Sequence, residues 1–270
     1  MKKKWTGERL ETFIYSRDTI DHLHRYALAK DYIKGKSVLD IASGEGYGTN
    51  LLSMDAASVI GVDIDPESVK NATIKYNKSN LEFVVGSADV IPVKSNSIDV
   101  VVSFETLEHH DKHQEMLLEI KRVLKSEGIL IISTPDKLYY SDKRNFNNEY
   151  HVKELYKIEF QELISNNFIH YQCLNQKYIN GASLIQDDGD ENQISEMYSG
   201  NYTTLDVNVL DPLYLIIIGS DVDFLKQKSS IFNGIEIVEK ELEVAFQKSN
   251  SFRLGNFILS PIKFIKKCLQ

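Results

Sequence analysis

Three observations in the sequence predict an α/β fold with a parallel sheet. Short β-branched runs alternate with longer amphipathic stretches. The apolar run Val38 to Ile41 opens into a glycine-rich turn, Ala42-Ser43-Gly44-Glu45-Gly46-Tyr47-Gly48, and then into helical sequence. A second apolar run, Val59 to Val62, ends on an acid, Asp63.

In chain order, the amphipathic stretch 19–32 predicts a helix ahead of the first strand, 37–41. The glycine turn leads into a short helix, 48–53, and the apolar run after it predicts a strand at 57–62. Pro66 sits at the first helical turn of 66–77, where its missing N–H costs nothing. Strands follow at 81–85 and 98–103, a helix at 112–125, a strand at 128–133, a helix at 152–166 and strands at 169–174 and 213–219. That makes seven strands, with a last helix at 235–249. The segment 176–211 breaks the alternation: it is long, acidic around Asp187-Asp188-Gly189-Asp190-Glu191, and rich in Asn, Ser and Tyr. A lid over a site or a mobile loop is expected there. The organisation expected is an N-terminal cap and helix region over 1–35, a main domain over 36–220 carrying that insertion, and a helical extension over 221–270.

Composition narrows the function classes. The 270 residues are 42% hydrophobic and 26% charged, enough for one sizeable core and unlike a disordered chain. Two cysteines, Cys173 and Cys268, show no ligand spacing, so neither a disulfide framework nor a zinc site is suggested and a reducing, cytoplasmic compartment is expected. Thr6-Gly7-Glu8-Arg9 occupy the place where a secretory signal would need an apolar run, and the apolar stretch Leu213 to Ile218 is too short to span a bilayer. A net charge of −8 argues against non-specific nucleic-acid binding.

The glycine turn lets a backbone approach a ligand closely, and a strand-end acid such as Asp63 can accept both hydroxyls of a ribose. A nucleoside site is therefore expected. Charge selects the nucleoside: Asp40 and Glu45 flank the turn and would repel a pyrophosphate, whereas S-adenosylmethionine brings a cationic sulfonium and an ammonium group. Asp89, in Gly86-Ser87-Ala88-Asp89, is placed to accept from an adenine amine, or to cap a turn.

The runs DIASGEGYG, GVDID, GSADVIP, IDVVVSFETLEH and RVLKSEGILIISTPD resemble successive motifs of the class I S-adenosylmethionine-dependent methyltransferases. The resemblance covers about residues 20 to 175. It implies a Rossmann-like seven-stranded sheet in the order 3-2-1-4-5-7-6 with the seventh strand antiparallel, helices on both faces, and S-adenosylmethionine at the carboxyl ends of strands one and two. On this sequence it implies a cofactor site made of Arg25, Asp40, Ala42, Gly44, Gly46, Asp63, Ile64, Ala88, Asp89 and Phe104. In it Gly44 and Gly46 line the methionine portion, Ala88 with Asp89 meets the adenine, and Phe104 lies beside the sulfonium. Arg25, on the helix before the first strand, would hold the cofactor carboxylate; the alternative is a solvated surface arginine.

After the fourth strand comes Glu105-Thr106-Leu107-Glu108-His109-His110. In a helical turn, residues 105, 108 and 109 share one face. Two carboxylates and an imidazole there could hold a divalent cation, magnesium or manganese before zinc, with His151 as a further ligand. This pattern resembles the metal site of ubiquinone-pathway and small-RNA 3′-terminal O-methyltransferases. The alternative leaves Glu105 and Glu108 solvated or capping, with His109 acting alone. Glu108, His109 and His151 are the candidate catalytic residues, since a neutral alcohol needs its proton removed or its pKa lowered.

GERLE, HLHRYALAKDYIKGKSVLDIASGEGYG, SFETLEHH, STPDKLYYSD and HVKELYKIEF are together similar to methyltransferases of bacterial surface-polysaccharide assembly. That resemblance implies O-methylation of a sugar hydroxyl or chain terminus on a small-molecule or lipid-linked glycan. A quinone-type phenol, an RNA terminus, and a non-catalytic scaffold remain the alternatives. From Arg253 onward the chain is basic and apolar, as suits peripheral attachment at the cytoplasmic face of the inner membrane or contact with glycosyltransferases.

Overall fold

The computed structural model describes residues 10–252 and residue 254. In chain order the elements are α1 (Arg17–Ile33), β1 (Ser37–Ile41), α2 (Tyr47–Leu52), β2 (Ser58–Asp63), α3 (Pro66–Lys75), β3 (Leu81–Val85), β4 (Ile98–Phe104), α4 (His113–Val123) and β5 (Leu124–Pro135). There follow α5 (Lys157–Ser165), β6 (His170–Ile179), β7 (Ala182–Asp187), β8 (Glu196–Gly200), β9 (Leu205–Val209), β10 (Tyr214–Ser220), β11 (Ser230–Asn233) and α6 (Ile235–Lys248). A 3₁₀ turn, Leu107–His109, and a π-helical turn, Leu138–Asp142, punctuate the loops after β4 and β5.

One sheet runs in the order β3-β2-β1-β4-β5-β10-β6-β7-β11. Strands β1 to β5 pair in parallel, and β10 lies antiparallel between β5 and β6. The seven predicted strands thus follow the expected order. The count does not: β7 and β11 extend the sheet to nine.

Central strands buried on both faces read as continuous apolar runs. Val100, Val102, Ile131, Ile216 and Ile218 pack on one face with Tyr26, Ala29 and Ile33 of α1 and Leu52 of α2. Alternate residues, Val101, Leu130, Ile132, Leu215 and Ile217, face the other way onto Met116, Leu117 and Ile120 of α4 and Phe160 and Ile164 of α5. Ser16 and Asp65 cap α1 and α3, accepting from the N–H groups of Thr19 and Glu67.

The segment 176–211 carries strands where the sequence suggested a lid or a mobile loop. Strand β6 runs through Gln176 to Ile179, turns at Asn180 and Gly181, both with positive φ, and returns as β7. Strands β8 and β9 then form a separate antiparallel hairpin, whose base is held by Lys177 Nζ donating to Ile194 O at 2.7 Å. Helix α1 packs in the main core, and β11, in the stretch expected to be helical, pairs with β7. The tail beyond Leu254, on which the membrane expectation rests, lies outside the described residues.

The carboxyl ends of β1, β2, β3 and β4 share one edge, and α1 reaches it through Tyr26. The Tyr26 ring is edge-on to Phe104, with centroids 5.1 Å apart, and a Cβ on Gly48 would meet Tyr26 Cζ at 1.9 Å. Overpacking at such a contact costs about 1–3 kcal/mol. Gly48→Ala is therefore expected to lower stability by that amount in urea denaturation, and an unchanged midpoint would show that Tyr26 moves freely.

Candidate active site

A cavity of about 600 Å³ opens over that edge. Its inner wall is the turn after β1, where Ala42, Gly44 and Gly46 all take positive φ, of 59°, 56° and 85°. Such a turn strains the non-glycine Ala42. The Gly44 N–H donates to Asp63 Oδ2 at 2.7 Å, and the Asp65 N–H donates to Oδ1 at 2.9 Å. Asp63 is thus a buried carboxylate at the cavity wall, held by backbone amides.

Of the expected cofactor residues, Ala42, Gly44, Asp63, Ile64, Ala88, Asp89 and Phe104 line the cavity. Asp89 stands at its far end, paired with Lys112 and accepting from Ser87 Oγ. The Lys112 hydrogen bond is the main reason its pKa is held down, to about 2.

Three of the expected cofactor residues are not among those that line the cavity. At Gly46 a Cβ would meet Ala72 and Phe83 at 2.8 Å. Asp40 lies buried behind the turn and accepts from Thr49 Oγ1 at 2.7 Å. Arg25 is neither a cavity residue nor a solvated one. It is 1% exposed, its Nε donates to Gln176 Oε1 at 2.7 Å, and its Nη1 lies 3.2 Å from Glu105 Oε1. The guanidinium stacks over Tyr214, 4.4 Å from the ring centre.

Glu105 does not join Glu108 and His109. Its φ is +53°, outside the helical turn, so its side chain leaves the face the other two occupy. It instead accepts from Ser133 Oγ at 2.6 Å and pairs with Arg25. Glu108 is 1% exposed and accepts from Thr134 Oγ1 at 3.2 Å. Burial, with the charge of Glu105 adding, pushes its pKa well above the usual carboxylate range. Its carbonyl accepts from the N–H groups of Val152 and Lys153, at 2.7 and 3.1 Å, so the segment carrying His151 hangs from it.

Glu108, His109 and His151 do converge, with one candidate ligand atom from each lying within 4.8 Å of the others. His109 lines the cavity. Its Nδ1 lies 3.1 Å from Tyr150 O, and because a carbonyl only accepts, Nδ1 carries the proton and Nε2 the lone pair. His151 Nδ1 lies 2.6 Å from Glu154 Oε1.

Four residues of the quoted motifs to which the sequence assigned no role also line the cavity. His22 lines the cavity and shares a 3.1 Å hydrogen bond with Tyr47 Oη, and burial drives its pKa well down. Tyr26, Tyr47 and His110 line it as well. Periodicity placed His22 and Tyr26 on a helix, but the contact they make with the turn is set by packing alone.

Burial pushes the Asp40 pKa up to about 7, and the charge of Asp63 adds to it, against hydrogen bonds from Thr49 and Tyr26. The folded chain then binds more protons than the unfolded chain between about pH 4 and 7, so this carboxyl lowers stability as pH rises through that window. Asp40→Asn is expected to flatten that part of the stability profile in urea titrations from pH 4 to 8. A wild-type slope retained in the variant would remove Asp40 as its source.

Residues 39–132 match the family described as a methyltransferase domain. A probable S-adenosylmethionine-dependent methyltransferase of Mycolicibacterium smegmatis is 34% identical over 131 residues, covering 48% of this chain and 50% of that one. A phthiotriol/phenolphthiotriol dimycocerosates methyltransferase of Mycobacterium ulcerans is 32% identical, covering 43% of each chain. The chain thus spans about half the length of the curated relatives it matches. Among solved structures, the YcgJ protein of Bacillus subtilis superposes with a TM-score of 0.57 at 20% identity, covering 75% of this chain and all of that one. A methyltransferase from Thermotoga maritima gives 0.54 at 16% identity, covering 76% of this chain and 91% of that one. Taken with the sheet order, these likenesses show a Rossmann-like α/β fold in which residues 39–132 are similar to the methyltransferase-domain family.

Proposed function

We propose that the chain is an S-adenosylmethionine-dependent O-methyltransferase whose acceptor is a sugar hydroxyl or chain terminus of a surface glycan, attached peripherally at the membrane through its tail. The observation that carries the reading is the pairing, in one cavity, of the amide-held Asp63 with His109, whose Nε2 lone pair is left available. The site fits the cofactor: 600 Å³ suits a nucleoside with a short chain, and Asp63 supplies the acceptors that ribose hydroxyls need.

When bound, S-adenosylmethionine supplies a methyl group on a positive sulfur that leaves as a neutral thioether. Asp63 accepts from the ribose hydroxyls and Asp89 from the adenine amine. Phe104 and Tyr26 provide an apolar wall that keeps water from the sulfur, while the Gly44 turn accommodates the methionine portion. His109, with His151 behind it, takes the proton of the acceptor hydroxyl as the methyl moves, and the enzyme's main contribution is alignment. Tyr150, an exposed aromatic that lines the cavity, offers a face for a sugar ring. The acidic Asp187 to Glu191 stretch favours a glycan over an RNA acceptor.

A second reading, favoured by the convergence of Glu108, His109 and His151, adds a divalent cation that lowers the pKa of the acceptor hydroxyl. With Glu105 engaged elsewhere, the donors are two imidazoles and one carboxylate, a set that suits manganese or zinc better than magnesium.

Two measurements test the reading. Asp63→Ala removes charge-assisted hydrogen bonds worth about 1.5–3 kcal/mol each, so calorimetry should show S-adenosylhomocysteine affinity weakened about tenfold or more; equal affinity would overturn the placement. His109→Ala should reduce kcat by about 100-fold or more with cofactor affinity unchanged, and full turnover would remove it as the base.

A further inference from the structure

His151 is held on three sides. Its Nδ1 lies 2.6 Å from Glu154 Oε1, and the two side chains are 7% and 8% exposed. Tyr140 stacks on one face of the imidazole, with centroids 5.3 Å apart and planes 22° apart. The His109 ring meets it edge-on at 5.2 Å. The backbone around the pair is pinned as well. Val152 and Lys153 hang from the Glu108 carbonyl, and the Lys137 N–H donates to Leu155 O at 3.1 Å. The segment 151–155 is therefore fixed both to the 3₁₀ turn after β4 and to the chain leaving β5.

An ionised carboxylate can only accept, so the bond to Glu154 places the proton of a neutral imidazole on Nδ1 and the lone pair on Nε2. Free imidazole side chains in water favour the opposite tautomer. We propose that Glu154 is the positioning residue of the acceptor side, holding His151 as the Nδ1–H tautomer with its Nε2 lone pair presented to the space shared with Glu108 and His109. The inference rests on the oxygen-acceptor reading. In that reaction the acceptor O–CH₃ bond forms as the S–CH₃ bond breaks, the electron pair stays on sulfur, and the hydroxyl proton moves to His109 Nε2. The lone pair that Glu154 keeps on His151 Nε2 then faces the His109 imidazolium and stabilises it. Glu154 touches neither cofactor nor acceptor, and acts through His151.

The test separates position from bulk. Protein labelled with ¹⁵N at histidine, with the His151 signals assigned by comparison with His151→Gln, reports the tautomer at a pH where the ring is neutral. The wild type is expected to show protonated Nδ1 and bare Nε2. In Glu154→Met, which keeps the volume and removes the acceptor, the Nε2–H form should become the major one. There kcat should fall about 10- to 100-fold, as for other orienting partners of histidine, while the acceptor KM stays within about twofold. Glu154→Gln, which keeps an acceptor oxygen, should retain the Nδ1–H form and recover most of kcat over the Met variant. An Nε2–H tautomer in the wild type, or a wild-type tautomer in Glu154→Met, overturns the proposal. The spectra need no acceptor and no turnover. Wild-type protein with the expected tautomer and no methyl transfer to any hydroxyl would therefore sink the oxygen-acceptor reading and leave Glu154 in its place.

Discussion

The buried guanidinium of Arg25 is the constraint on which the site depends. A fully buried cation must be matched, because removing one partner of a buried pair costs several kcal/mol. Its partners come from three directions: Glu105 after β4, Gln176 on β6 and the Tyr214 ring at the start of β10. Gln176 in turn donates to the Asp21 carbonyl and to Ser183 Oγ, which ties α1 to β6 and β7. Meeting the need of one side chain thus fixes the helix that forms the cavity wall against the strands beneath it.

That demand also sorts the acids after β4. Glu105 is taken by Arg25 and Ser133 and held at positive φ, and Glu108, one 3₁₀ turn on, is left among histidines with its own pKa raised. Two carboxylates three residues apart in the chain therefore have opposite environments and opposite work. A similar division holds at the turn, where Asp63 faces the cavity under two amides and Asp40 lies behind it beside Thr49 and Tyr26.

What could be read from the sequence was what local pattern encodes. The alternation of apolar runs located seven strands to within a few residues at most ends, and the glycine turn with Asp63 located the cavity, because both depend on spacing within a short stretch. The hairpin at Asn180-Gly181 carries a strong local turn signal, which the polar, acidic sequence after it obscured. Arg25 could not be read at all: its Gln176 partner lies 151 residues away, and a charge on a helix ordinarily faces water. Glu105 was misplaced for a backbone reason, since a helical face was assumed where the chain takes a left-handed residue. Glu154 stands three residues from His151, yet the pair shows its meaning only once Tyr140 and the Glu108 carbonyl fix the ring between them.

The segment matched to the family begins within β1 and ends within β5. Helix α1, strands β6 and β10, and the chain from His151 to Glu154 all lie outside it, although they supply one wall of the cavity, the floor under Arg25 and half of the histidine pair. The β6–β7 hairpin and β11 reach back to α1 through Gln176 and through Ser230, which shares a 2.9 Å hydrogen bond with His24 Nε2. The appended strands and the cavity wall are thus tied together by buried hydrogen bonds. The far sheet edge is consequently not independent of the cavity: a change in the added strands reaches, through α1, the wall that Tyr26 and His22 form.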